Sequence, residues 1–301
     1  MNEQSSMKAG FIAILGAPNA GKSTLVNRIV GEKISITSKK PQTTRNRILG
    51  IHSEPSAQLI FMDTPGVHTA SNELNTRIVN AALSAISDVD VILMLRAADT
   101  NEAFSDGDLL LIKHLQNISM PKVLALNKID LIAKEKILPL TEQWHAPNLF
   151  SDIVPLSAKQ GDGISELLEI LRQKLPSGPR LFADDMITDV PIRFMVAEMI
   201  REKVFRLTGQ EIPYSCAVTI DFFEEKPKQN LVRIGAIIHV EKVSQKGIII
   251  GKQGSALKEI GAQARISIEQ LLQQKVFLHL FVRVQENWRK DTKALQRFGY
   301  S

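Results

Sequence analysis

Eight consecutive residues, Gly16-Ala17-Pro18-Asn19-Ala20-Gly21-Lys22-Ser23, concentrate more chemistry than any other stretch of this 301-residue chain. They spell G-x-x-x-x-G-K-S between an apolar run and a helix-type stretch. Glycines in such a loop let backbone N–H groups turn inward onto phosphates, and the helix N-terminus behind them adds positive potential. Lys22 is the expected reach to the β- and γ-phosphate oxygens, and the Ser23 hydroxyl is the expected Mg²⁺ ligand. Thr24 completes the set of residues around the nucleotide. The plain alternative is a Gly-rich turn without a ligand, and the strand–loop–helix context argues against it.

A phosphate loop does not choose between adenine and guanine. Asn127-Lys128-Ile129-Asp130, at the end of a second apolar run, can. A carboxylate at Asp130 accepts from both N1–H and N2–H₂ of guanine. Adenine offers neither donor there and would leave a buried carboxylate unpaired. The Lys128 stem can lie on the base, and Asn127 can tie the loops together. Ser157-Ala158-Lys159 supplies a backbone N–H for the guanine O6. Asp63-Thr64-Pro65-Gly66 closes another run: Asp63 is expected behind the Mg²⁺, and Gly66 frees the backbone to approach the γ-phosphate. Each motif is weak alone. Their order, each at a strand end, is specific.

Between the first helix and the second strand lies SKKPQTTRN, residues 38–46, polar and suited to ordering on a triphosphate and relaxing afterwards. Thr44 is the choice for the Mg²⁺ and γ-phosphate contact, with Thr43 second; an ordinary surface loop is the alternative, because spacing alone does not fix the position. After Gly66 comes Val67, whose side chain can orient no attacking water. His68 beside it is, like most lone histidines in loops, a solvated side chain first and a catalyst second. Arg45 reads as a structural pairing residue before a charge stabiliser. The residues expected to carry the chemistry are Asn19, Lys22, Thr44 and Gly66.

These motifs need a scaffold, and the hydrophobic pattern provides one. Apolar runs at 10–15, 47–52, 58–62, 90–95, 122–127 and 152–156 alternate with helix-type stretches at 22–30, 72–87, 105–117, 134–144 and 164–174. Near-continuous apolar strands between amphipathic helices predict a mostly parallel sheet covered on both faces. Only SEPSA separates 47–52 from 58–62, which predicts a hairpin and one antiparallel strand. Pro176, Gly178 and Pro179 then punctuate the chain, giving a nucleotide domain over 8–176, a linker over 177–190 and a second domain over 191–301. In the second domain the order becomes helix 191–207, strands 215–223 and 231–241, a Gly-rich turn over 247–254, helix 255–274, strand 276–284 and helix 286–298.

Gly251-Lys252-Gln253-Gly254 has the G-x-x-G spacing that clamps RNA in KH domains. Its glycines admit a sugar–phosphate backbone, Lys246, Lys252 and Lys258 supply charge, Gln253 adds a polar contact, and Ile250 belongs to an apolar floor. The alternative is a tight helix–helix turn with no ligand. Charge weighs for the clamp: residues 226–301 hold 14 Lys and Arg against 5 Asp and Glu in a chain of net charge +5, so the remainder is slightly acidic.

An apolar fraction of 44% and a charged fraction of 23% suit two domains that each bury a core. The one cysteine, Cys216, cannot close an internal disulfide and sits in an apolar run. With no segment of ~18 apolar residues, the expected location is the cytoplasm, with peripheral contact at the inner face of the membrane left open. The histidines show no metal-binding spacing, so no zinc is expected.

GAPNAGKS, TTR, DTPG, NKID and SAK, in this order, resemble the translation-factor-like GTPases and within them the bacterial Era family, over the whole chain. The resemblance implies an α/β Ras-like P-loop domain followed by an α+β type II KH domain. It also implies GTP/GDP and Mg²⁺ as ligands, GTP hydrolysis, and binding near the 3′ end of 16S rRNA in assembly of the small (30S) ribosomal subunit. A monomer is expected. Asn19, three residues before Lys22, matches the P-loop Asn of potassium-activated GTPases, which makes K⁺ a further candidate cofactor; a turn-stabilising Asn is the alternative. Two other readings stand beside this one: a switch whose basic domain recruits proteins or anionic lipid, and a nucleotide kinase, against which NKID argues.

Overall fold

The computed structural model describes residues 7–38, 46–66, 86–100, 104–146, 148–209 and 212–299. Thr43, Thr44, Arg45, Val67 and His68 lie outside the described residues, as does the helix expected over 72–87 except for its last two positions, which form a turn. The chain divides into two compact units: the first runs to Asp189 apart from Ile36–Thr43 and Asn72–Leu74, and the second comprises those two stretches and Val190–Ser301.

The first unit is built on a six-stranded sheet in the order β2-β3-β1-β4-β5-β6. The strands are β1 Lys8–Gly16, β2 Ile48–Glu54, β3 Ala57–Asp63, β4 Val91–Ala97, β5 Lys122–Asn127 and β6 Asp152–Leu156. All neighbouring pairs are parallel except β2 and β3, which form the expected antiparallel hairpin. β3, β4 and β5 are buried at every residue, because helices cover both faces. The described helices are α1 Lys22–Val30, α2 Asp106–Leu115, α3 Ile137–His145 and α4 Ile164–Lys174. α2 begins with a capping box in which Ser105 and Asp108 exchange bonds, and Asp108 also holds the buried Arg96 at 3.0 Å. The helix expected over 134–144 starts instead as a 3₁₀ turn, Lys134–Lys136. Pro139 explains the later start: it lacks an N–H and is tolerated only in the first turn, which places the α-helical start at Ile137. Trp144, fully buried, closes the core between Phe104 and Phe150.

Residues 177–189 run along this unit. Gly178 N–H donates to Met7 O (3.0 Å), Gln58 Nε2 donates to Phe182 O (3.0 Å), and Ile51 N–H on β2 donates to Ile187 O (2.9 Å).

The second unit holds a three-stranded sheet, β7 Ala217–Lys226, β8 Leu231–Val240 and β9 Lys275–Val284, in that order. β7 and β8 are antiparallel, and β8 and β9 are parallel. A parallel neighbour needs a crossover, supplied here by α7 Val243–Ile250 and α8 Ser255–Leu272. One sheet face packs on α8 and on α5 Ile192–Leu207, burying Ile200, Val204, Phe205, Ile234, Ile238 and Ile260 among others. Cys216 is buried in this core. A short helix, α6 Ile212–Ser215, precedes β7 where strand was expected from 215. The helix expected over 286–298 is a 3₁₀ turn, Trp288–Lys290, followed by α9 Thr292–Arg297. Asp291 separates them by capping α9 with a bond from Lys293 N–H. Among the described residues no helix is long and apolar enough to cross a membrane.

Candidate nucleotide site and nucleic-acid clamp

β1 delivers its C-terminal end into the phosphate loop, and the loop turns on three positive φ angles: Gly16 at 153°, Asn19 at 63° and Gly21 at 100°. A side chain at Gly21 would strike Asn127, so only glycine lets the loop lie against β5. α1 starts at Lys22 with no side-chain cap and no acidic residue in its first turn. A helix start whose cap residue is a glycine, with no acidic side chain in its first turn, suits an anion. Lys22 is buried, and its Nζ donates to Gly16 O and Ala17 O, both at 3.0 Å. Burial lowers its pKa to about 8, against the pull of Asp63; bound phosphates would favour its charge.

Asp63, at the end of β3, is fully buried. Burial pushes its pKa up, opposed by hydrogen bonds from Ser23 and Ser35 and by the Lys22 charge. Ser35 Oγ donates to Asp63 Oδ2 at 2.8 Å, while Oδ1 is buried without a hydrogen-bond partner. An orphaned carboxylate oxygen next to a serine hydroxyl is the oxygen-rich arrangement a hard divalent cation takes, so Ser23 and Asp63 suit Mg²⁺. Thr64 Oγ1 anchors the following turn on Ile14 O at 2.6 Å. Pro65 is buried, and a Cβ at Gly66 would meet the Pro18 backbone at 2.9 Å. That close approach brings the turn after β3 against the phosphate loop.

The base-reading motifs converge on Asn127. Its Nδ2 donates to Ala20 O at 2.7 Å, and its Oδ1 accepts from Lys128 N–H at 2.8 Å and Ala158 N–H at 2.9 Å. One buried amide thus joins the phosphate loop, the β5 end and the β6 end. Lys128 adopts φ 67° and pairs with Asp99 at 3.1 Å. Ser157 Oγ donates to Asp130 Oδ1 at 2.6 Å. Asp130 is exposed, which corrects the expectation of a buried carboxylate: the protein supplies the carboxylate's orientation, and only the base itself could cover it. Ser157 and Ala158 are buried and Lys159 is exposed.

Sequence reading missed the groups that hold these loops. Arg28 on α1 donates to Ala158 O at 3.2 Å and also to Lys159 O. Asn27 Oδ1 accepts from Ile34 and Ser35 N–H at 3.0 and 2.9 Å, fixing the serine that meets Asp63. Asp99 clamps Lys128. Arg28 lies 130 residues from its partner Ala158, and no local pattern marks such a pair.

In the second unit, α7 continues to Ile250, so the turn is shorter than the expected 247–254. Burial of Ile249 and the bonds from Glu241 and Lys242 N–H to Gln245 Oε1 hold the helix and outweigh the ~1 kcal/mol cost of an internal Gly247. The turn itself is Gly251 (φ 72°, ψ 177°), a 3₁₀ step over Lys252–Gly254 with Gln253 at φ 52°, and Gly254 (φ 79°, ψ 8°) at the start of α8. Lys252, Gln253 and Lys258 are exposed, and Lys246 and Ile250 are half-buried. Among the described residues no group of three or more His, Cys, Asp or Glu could hold a metal ion.

A mixed sheet carrying a phosphate loop, a guanine-type base loop and a carboxylate at the end of β3, with a GxxG helix pair in a second unit, is the architecture of a P-loop GTPase with a KH domain. The family profile described as "50S ribosome-binding GTPase" matches residues 11–128, and the one described as "KH domain" matches residues 211–289. The chain is 52% identical to GTPase Era of Geotalea uraniireducens and 51% identical to that of Geobacter metallireducens, covering 99% and 98% of both chains respectively. Among solved structures it is similar to Aquifex aeolicus Era bound to GDP and aluminium fluoride (TM-score 0.94, 38% identity, 98% of this chain and 100% of that one). It is equally similar to Era in complex with MgGDPNP and nucleotides 1506–1542 of 16S ribosomal RNA (TM-score 0.94, 39% identity, 98% and 99%). The chain belongs to the Era family, and it is a GTPase that converts GTP and water to GDP and phosphate.

Proposed function

We propose that the chain is a GTP-driven switch that binds 16S rRNA near its 3′ end and acts in assembly of the 30S subunit. The observation that carries this reading is the exposed Gly251–Gly254 turn, a clamp for sugar–phosphate backbone, in the same chain as the Asn127-centred guanine site. The likeness over nearly the full length to an Era seen with a GTP analogue and 16S rRNA supports it. In the working division, residues 8–176 handle nucleotide, 177–190 connect, and 191–301 handle RNA. Ser23 and Asp63 would hold Mg²⁺, with Thr44 as the added ligand in the triphosphate state. The ion neutralises charge on the β- and γ-phosphates. The protein's own groups do the positioning: Lys22 meets the phosphates, the loop N–H groups orient them, and Gly66 lets backbone approach the γ-phosphate. Peripheral binding of the basic unit to anionic lipid is the competing reading.

Changing Lys252 and Gln253 together to Asp separates the two. RNA affinity measured by anisotropy should collapse while GTP turnover without RNA stays near that of the unaltered chain. RNA binding that survives the double change sinks the assignment, and loss on vesicles in proportion to charge alone favours lipid. We further propose that Asn19, exposed at φ 63° on the phosphate loop, helps hold K⁺ against the charge that builds up as the β–γ bridge breaks. Turnover should be faster in K⁺ than in Na⁺ at matched ionic strength, and Asn19→Ala should remove most of that difference. Equal turnover in both salts would falsify it.

A further inference from the structure

The sheet of the second unit buries one face on α5 and α8, and its other face is only partly covered. At one end of that outer face Phe298 lies 4.4 Å (centroid to centroid) from His239 and 5.2 Å from Trp288. Away from this end the face is open. β9 alternates strictly: Val276, Leu278, Leu280 and Val282 turn to the helices, while Lys275, Phe277, His279, Phe281 and Arg283 are exposed. Phe277 is 49% and Phe281 54% exposed, so two phenylalanines stand in water on a rigid strand.

The rings form an organised row. Phe277 and His279 are 4.5 Å apart edge to face, and His279 and Phe281 are 6.4 Å apart at 13° between planes. Gly235 on β8 lies beside His279. A Cβ there would strike the Phe222 ring, so the glycine lets a fourth aromatic lie on the same face. Basic groups bracket the row: Lys275 and Arg283 at its ends and Arg233 opposite Phe277, with Glu224 at 3.5 Å from Arg233.

From these positions we infer that the open sheet face is a second, sequence-tolerant surface for single-stranded RNA. The inference rests on the reading that the GKQG turn holds RNA. Nucleotides flanking the clamped ones stack on Phe277 and Phe281, and their phosphates meet Lys275, Arg233 and Arg283. Every base has a π-face, so exposed aromatic platforms between cations suit a strand of any sequence. Phe277 and Phe281 are four strand residues, about 13 Å, apart, which leaves room for separate bases. The charges bracketing the row share one sign, with Glu224 the one carboxylate set against Arg233, which favours a polyanion as the occupant. Phe281 is three residues, about 10 Å, from Val284, which pairs with Val240 at the covered end where β8 leads into α7, so one extended strand of RNA spans from the clamp past that end to the row. β9 is an edge strand, so a bound strand can pass over it onto the open face.

The test uses the full chain and three RNAs: a four-nucleotide strand that fills only the clamp, and the same strand extended by eight nucleotides at its 5′ end or at its 3′ end. The double variant Phe277→Ser/Phe281→Ser alters exposed positions, and thermal unfolding checks that it stays folded. It should bind the short RNA within about twofold of the unaltered chain. For one of the extended RNAs it should lose roughly tenfold in affinity for each ring removed. Equal binding of the extended RNAs by the variant and the unaltered chain overturns the inference. So does a concentration-dependent dimer of the unaltered chain that the double change dissolves, since the face then belongs to a second copy. Failure of the clamp reading looks different: the unaltered chain then fails to bind the four-nucleotide RNA.

Discussion

Asn127 makes three hydrogen bonds that join three loops around the nucleotide site, whereas the clamp turn is closed by backbone bonds, Gly251 N–H to Gly247 O and Gly254 N–H to Gly251 O. In the first site, fixed side chains create the recognition. In the second, backbone angles do, and the side chains that would touch a ligand stand in solvent. The difference follows from what each must recognise. Telling guanine from adenine requires a polar group whose alternative is to remain unpaired, and so it must be held in place. Holding a sugar–phosphate backbone requires close approach, and removing side chains achieves that. Cross-bonded sites should fail at single side chains, and backbone sites should fail at single glycines.

The largest effect should come from Asn127→Ala. It strands the Ala20 carbonyl and the Ala158 N–H, at about 1–3 kcal/mol each, so GTP affinity should fall on the order of a hundredfold by titration with a fluorescent nucleotide. RNA affinity of the second unit should not move. A loss under threefold would break the contrast at its strongest point.

Asp130→Asn should cost less in folding, since Asp130 is exposed and held mainly by Ser157, yet it should change specificity. The amide can donate to the C2 oxygen of xanthine, so xanthosine triphosphate should bind while GTP weakens by about 1–3 kcal/mol for each lost polar pairing. Unchanged GTP affinity would remove the base-reading role.

The smallest effects sharpen the other side. Gly251 occupies φ 72°, ψ 177°, a region almost confined to glycine, and a Cβ there would meet Ala256 N at 2.8 Å. Gly251→Ala should cost about 1–3 kcal/mol in unfolding of the second unit. Gly254, left-handed but with open space around its missing Cβ, should cost about 1–2 kcal/mol when changed to Ala. Thermal unfolding of both variants should order them this way. A Gly254 variant less stable than the Gly251 one would mean that the left-handed step at Gly254 outweighs both the backbone angle and the Ala256 contact at Gly251.

Local pattern carried a large part of this protein. β5, β6, α1 and α4 begin and end at the residues their apolar periodicity marks, because a strand buried on both faces and a one-sided helix write their length into the hydrophobic pattern. Boundaries slipped where a local event competed: at α3, where Pro139 restricts the start, at α9, where Asp291 interrupts the run, and at α7, where packing of Ile249 carries the helix past Gly247. The motifs alone marked the phosphate loop, the proposed guanine loop and the proposed clamp, since each is a contiguous run whose geometry depends on its own glycines and short side chains. Tertiary structure decided the rest. It set Arg28 and Asp99 on loops far away in sequence, left Asp63 Oδ1 buried without a donor, put Asp130 at the surface, and brought Phe222 into the row of rings on β9. Those are relations between residues distant in the chain. They depend on strand order and register, which no local run of residues encodes.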